Sequence, residues 1–102
     1  MQPSDVTEGT FLLDVREDDE WAAGHIPGSS HIPMSGLLAR VAEVPKDRDV
    51  CVVCKVGARS AQVTAYLRQQ GWPSVANLDG GVVAWVGAGK PFVADAGEAR
   101  VL

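Results

Sequence analysis

The stretch Val50 to Ser60, V-C-V-V-C-K-V-G-A-R-S, constrains this chain more than any other. Its β-branched apolar run, Val50 to Val53, suits a strand buried on both faces. The run stops at Cys54, passes through the short loop Lys55-Val56-Gly57-Ala58, and gives way to a helical pattern from about Arg59. A strand that ends in a loop and feeds a helix is half of a βαβ unit, and open α/β folds bind ligands at the carboxyl ends of such strands. A thiol placed there faces the unpaired N–H groups and positive dipole end of a helix start. Lys55 and Arg59 add two cations, so the sequence predicts a Cys54 pKa lowered from about 8.5 into a range of roughly 3.5–7.5.

The rest of the chain reads as alternating strands and helices. Phe11 to Val15 is a compact apolar run, followed by a predicted helix over Asp18–Ala23 that carries acidic residues in its first turn and ends at Gly24. Asp14 and Arg16, two apart at a strand end, project to the same side and read as an ion pair or cap bracing the turn. His25 to Ser30 is a Pro/Gly turn, and His31-Ile32-Pro33 allows only a brief strand. Leu37, Leu38, Val41 and Val44 predict a helix within Met34–Val44, with Ser35 as its N-cap. Arg59–Gln70 predicts a helix with Val63, Tyr66 and Leu67 inward and Gly71 as its left-handed cap. Val75–Leu78 reads as a strand and Val82–Val86 as a short helix with Trp85 buried. Residues 1–10 leave room for at most a short edge strand near Asp5–Thr7, residues 11–92 form the domain, and residues 93–102 are a tail. This alternation implies a mainly parallel sheet covered by helices on both faces.

Composition narrows the function classes. With 102 residues the chain supports one core, and its net charge of −4 opposes sequence-independent nucleic-acid binding. No run approaches the ~18 apolar residues of a membrane helix, and the first ten residues lack the features of a secretory signal. A cytoplasmic, reducing location with a free thiol is the expectation. C-V-V-C is not read as a redox pair, because residues three apart on a strand face opposite ways and lie about 10 Å apart at ~3.3 Å rise, whereas a disulfide needs Cα atoms within about 7 Å. Cys51 is expected to be an inert core residue. His25 and His31 flank a turn without metal-ligand spacing, so no metal is expected and His25 reads as a hydrogen-bonded loop histidine.

C-K-V-G-A-R-S resembles the active-site loop of the rhodanese family of sulfurtransferases. L-L-D-V-R-E followed by E-W-x-x-G-H-I-P-G-S resembles that family's first signature, and G-W-x-x-V-x-N-L-D-G-G-V-x-A-W its C-terminal one. Residues 1–10 are too short for the strand and helix that the family usually places before its D-V-R strand. The resemblance implies that Cys54 takes a sulfane sulfur as a persulfide and passes it to a thiophilic acceptor. Lys55, Val56, Gly57, Ala58, Arg59 and Ser60 would form the cradle, with Asp14, Arg16 and His25 as structural support. It implies a cyanide, thiol or protein acceptor and no cofactor, while Lys55 next to the nucleophile suits a small anionic donor, thiosulfate favoured. A related phosphatase reading requires five residues between Cys and Arg, and Cys54 to Arg59 leaves four. A persulfide carrier serving a protein partner and a non-catalytic binding module of the same fold are the alternatives.

Overall fold

The computed structural model describes residues 1–102. Four parallel strands, β1 (Phe11–Asp14), β2 (Ser30–His31), β3 (Val50–Val53) and β4 (Val75–Asn77), form one sheet in the order β2-β1-β3-β4. β1 and β3 pair over their full lengths, from Phe11↔Val50 to Asp14↔Val53. From β1 the chain moves outward to β2, then crosses back and continues outward on the other side from β3 to β4. The order therefore reverses between β1 and β3, which is where open parallel sheets leave a crevice beyond their carboxyl ends. Cys54 immediately follows β3 at that point.

The central strand shows why the fold closes around it. Alternate side chains of a strand face opposite sides. Val50, Val52 and Cys54 join a core with Leu37, Val63, Leu67 and Trp72. Cys51 and Val53 join a second core with Leu12, Ile26, Leu78, Val82 and Trp85. All four residues of β3 are buried, which accounts for its unbroken apolar run. The helices are α1 (Asp18–Ala23), α2 (Leu37–Arg40), α3 (Ala58–Gln69) and α4 (Gly81–Gly87). No helix is long and apolar enough to cross a membrane.

Three segments depart from the sequence reading. Met34–Val44 is not one helix: a 3₁₀ turn (Met34–Gly36), the single turn of α2 and a second 3₁₀ turn (Val41–Glu43) follow one another. Gly36, not Ser35, stands at the N-cap of α2, and Leu38 is 72% exposed. Both ends of the segment are tied to the sheet layer, by Met34 N–H on the Val15 carbonyl at 3.1 Å and by Trp72 Nε1–H on the Val44 carbonyl at 3.2 Å. Residues 1–10 hold a 3₁₀ turn (Pro3–Asp5) in place of an edge strand, and only Met1 pairs with the far side of β4. Its nitrogen donates to the Asn77 carbonyl at 2.9 Å, and Asp79 N–H donates to the Met1 carbonyl at 2.8 Å. The tail packs back: Val93 exchanges two 2.8 Å backbone bonds with His25, Arg100 N–H donates to Ala23, and Phe92 and Val101 lie against the second core.

Candidate active site

The Cys54 loop is held from outside by α4 and opens its N–H groups inward. Val82 and Val83, in the first turn of α4, donate their N–H groups to the carbonyls of Cys54 and Lys55 at 2.9 and 3.2 Å. Gly81 makes this approach possible. It has φ +60°, and a Cβ there would run into the carbonyl oxygens of both Cys54 and Lys55. With its carbonyls turned towards α4, the loop presents donors to the sulfur. Gly57, at φ +110° as the N-cap of α3, donates its N–H to Cys54 Sγ at 3.0 Å. Ser60, in the first turn of α3 and fully buried, places its hydroxyl 3.1 Å from the same sulfur.

Burial of Cys54 alone would raise its pKa. The hydrogen bonds from the Ser60 side chain and from the backbone N–H groups of Ser60, Gly57 and Val56 outweigh it, so the thiol ends below its ordinary value. The opposite holds for Cys51. No donor serves it, and burial pushes its thiol up to about 12. The two cysteines lie in different cores on opposite faces of the sheet, and both are free.

The cations are arranged differently from the sequence expectation. Arg59 forms a two-pronged ion pair with Glu20 of α1, Nη1 to Oε1 at 2.6 Å and Nη2 to Oε2 at 2.9 Å. That hydrogen bond to Arg59 is the main reason the Glu20 carboxyl is lowered to about 2. Arg59 gains a smaller electrostatic contribution from Cys54, but its guanidinium is committed to Glu20. Lys55, next to Cys54 in the chain, makes no ion pair or side-chain hydrogen bond and is half-buried. Activation of the thiol therefore rests on the hydroxyl and the backbone amides, not on the two cations.

The remaining residues frame the loop. Asp14 and Arg16 are fully buried and joined by three side-chain contacts of 2.8–3.1 Å. Arg16 also donates to the Gly24 carbonyl at 2.7 Å, tying the end of β1 to the end of α1. Neither reaches the sulfur. His25 Nδ1 donates to the Trp21 carbonyl at 2.9 Å and its ring stacks on Trp21 at 3.7 Å, a bracing role on α1. Val56 at the loop tip is 59% exposed, and Ala58 begins α3. The surface cavities all avoid the cysteine; one of about 280 Å³ is bordered by Asn77, Thr64 and Arg68. Only 1% of Cys54 is exposed, so little of the sulfur meets solvent.

Three residues at this site were not singled out from the sequence: Glu20, Asn77 and Gly81. Asn77 Nδ2 donates to the Gly57 carbonyl at 3.1 Å, and its Oδ1 lies within hydrogen-bond distance of Ser60 Oγ. All three stand inside the flanking signatures, which is the only local signal they carry.

The sequence profile of the Rhodanese-like domain family matches residues 2–88. A protein of Allochromatium vinosum named a sulfurtransferase is 48% identical over 91 residues, which cover 89% of this chain and 85% of that protein. A putative sulfur carrier protein of Bacillus subtilis, YrkF, is 34% identical over 84% of this chain; the match spans 46% of YrkF. Among solved structures, a rhodanese-related protein from Thermoplasma volcanium superposes with a TM-score of 0.84 at 32% identity, covering 91% of this chain and 95% of that one.

Proposed function

The chain belongs to the rhodanese-like family, and from that premise we propose that it is a sulfurtransferase whose Cys54 carries the transferred sulfur. The observation that supports this most is the pair of donors on one sulfur, Gly57 N–H at 3.0 Å and Ser60 Oγ at 3.1 Å. They stabilise a thiolate, the nucleophilic form of cysteine. In the first half-reaction the thiolate attacks the sulfane sulfur of the donor. A Cys54 S–S bond forms, the donor's S–S bond breaks, and its electron pair leaves on sulfite when the donor is thiosulfate. The persulfide's terminal sulfur then bears the negative charge, inside the N–H groups of Val56 to Ser60. In the second half-reaction a thiophilic acceptor such as cyanide attacks that sulfur, leaves as thiocyanate, and returns the bonding pair to the Cys54 thiolate. Protons and electrons balance without a cofactor.

Thiosulfate is the donor we favour, because Lys55 follows the cysteine directly in the chain, has no ion-pair partner and attracts a dianion. A thiol that must stay free between turnovers suits a reducing, cytoplasmic compartment. One second reading has support of its own: Val56 and Val83, exposed by 59% and 47% next to the loop, offer an apolar rim to a protein acceptor, and a relative is named as a sulfur carrier. Steady-state assays with cyanide as acceptor, comparing thiosulfate with 3-mercaptopyruvate, test the donor. Higher kcat/KM with thiosulfate is expected; a clear preference for 3-mercaptopyruvate overturns it. Loading by thiosulfate combined with slow release to cyanide favours the carrier reading.

A further inference from the structure

The Ser60 hydroxyl has one proton and two acceptors. Cys54 Sγ lies 3.1 Å from Ser60 Oγ on one side, and Asn77 Oδ1 lies within hydrogen-bond distance on the other. The Asn77 amide cannot turn over to offer a donor in place of its oxygen, because Nδ2 is held by the Gly57 carbonyl at 3.1 Å. Its oxygen therefore faces Ser60 as an acceptor only. The three side chains come from three elements, the end of β3, the first turn of α3 and the end of β4, and the Gly57 bond fastens Asn77 to the same residue that donates to the sulfur.

The bookkeeping of this one proton differs between states of the sulfur. In the thiol, S–H donates to Ser60 Oγ and the hydroxyl donates to Asn77 Oδ1, so every group is satisfied. In the thiolate, the hydroxyl must turn to the sulfur, and Asn77 Oδ1 then faces an oxygen lone pair with no proton between. Once a second sulfur is attached, the charge moves outward and the inner Sγ becomes a weak acceptor. The hydroxyl is then better placed on Asn77. We propose that Asn77 is a positioning residue that sets the direction of the Ser60 hydroxyl, drawing it off Cys54 Sγ in the thiol and persulfide states and yielding it to the thiolate. Asn77 thus opposes the cradle: it keeps the resting sulfur less fully stabilised, hence more nucleophilic, and favours the loaded state. The consequence for turnover rests on Cys54 being the sulfur carrier, but the geometry and its test concern the thiol alone.

The test is a double-substitution cycle read on Cys54 itself. The rate of alkylation by iodoacetamide is followed across pH for the wild type, Ser60→Ala, Asn77→Asp and the double variant; no sulfur donor is involved, so failure of the sulfurtransferase reading leaves the result interpretable. Cys51, buried and pushed up to about 12, does not contribute. The neighbouring charged groups, Lys55, the Arg59–Glu20 and Arg16–Asp14 pairs, and the Met1 ammonium with Asp79 beyond β4, are the same in all four proteins. Asn77→Asp supplies a stronger acceptor for the Ser60 proton, so the profile should move up by about one pH unit when Ser60 is present. It should move by clearly less when Ser60 is alanine, where only the direct repulsion between the new carboxylate and the thiolate remains. Equal shifts in both backgrounds would mean that position 77 acts by charge or packing alone, and would overturn the proposal. Should Asn77→Asp fail to fold, the wild type serves: the side-chain amide protons of Asn77 should titrate by NMR with the Cys54 midpoint and become flat in Ser60→Ala. Titration of equal size in both contradicts the proposal.

Discussion

Arg59 and Glu20, 39 positions apart, close a two-pronged ion pair that joins α3 to α1 beside the cysteine loop. The guanidinium that the sequence offers to the sulfur is thereby held by a carboxylate, and the sulfur is left to the Ser60 hydroxyl and the backbone amides. This division of labour has consequences for pH, for the loop and for the donor.

The Glu20 carboxyl is lowered from 4.5 to about 2, chiefly by its hydrogen bond to Arg59. A group whose pKa falls on folding adds stability above its unfolded value and loses it as pH drops towards the folded one. Glu20→Gln should therefore cost about 1–2 kcal/mol near neutral pH, after allowance for solvent screening of a partly exposed pair. Urea unfolding at a series of pH values should show the gap between variant and wild type narrowing from pH 4.5 downward and closing near pH 2.

Gly81 is the point where α4 touches the loop. A methyl there meets the carbonyls of Cys54 and Lys55, and φ +60° disfavours any other residue. Gly81→Ala should displace the loop, reduce sulfur loading by at least about tenfold and lower stability by about 1–3 kcal/mol. Gly87→Ala, where a Cβ meets nothing, is the matched control and should leave loading unchanged.

Asp14 braces Arg16 out of reach of water. Asp14→Ala leaves the buried guanidinium without its carboxylate and should cost about 3–5 kcal/mol in chemical unfolding. Activity per folded molecule should fall far less than in Cys54→Ser. A fully stable but inactive Asp14→Ala protein would contradict the bracing role.

What the sequence made legible was local. The run Val50–Val53, ended by Cys54 and turned by Gly57, specifies a buried strand, a loop and a helix start within a few residues, and β3 and α3 follow it closely. α1 was equally readable, because its acidic first turn and Gly24 mark both ends. Met34–Val44 was not. The spacing of Leu37, Val41 and Val44 satisfies 3₁₀ turns as well as an α-helix, and attachments to Val15 and Trp72 decide between them. At the site, contacts across long sequence separations escaped. Asn77 meets Ser60 from 17 positions away and Arg59 meets Glu20 from 39, and no periodicity encodes either. The expectation that Arg59 activates the thiol failed for the same reason.

Lys55 is the cation that remains unpaired at the loop, so it bears on the donor rather than on the thiol. Lys55→Ala should raise KM for thiosulfate several-fold at low ionic strength, and the difference should shrink as salt screens the field. The rate of reaction of an already formed persulfide with cyanide should change little. Thiosulfate kinetics identical to wild type at low salt would point to a low-molecular-weight or protein persulfide as donor.

The central claim is that Cys54 alone carries the sulfur. Intact-protein mass spectrometry after incubation with thiosulfate tests it directly. The wild type and Cys51→Ser should each gain one sulfur atom that cyanide removes, and Cys54→Ser should gain none. A cyanide-labile sulfur adduct on Cys54→Ser, or none on the folded wild type with any sulfane donor, would contradict the account.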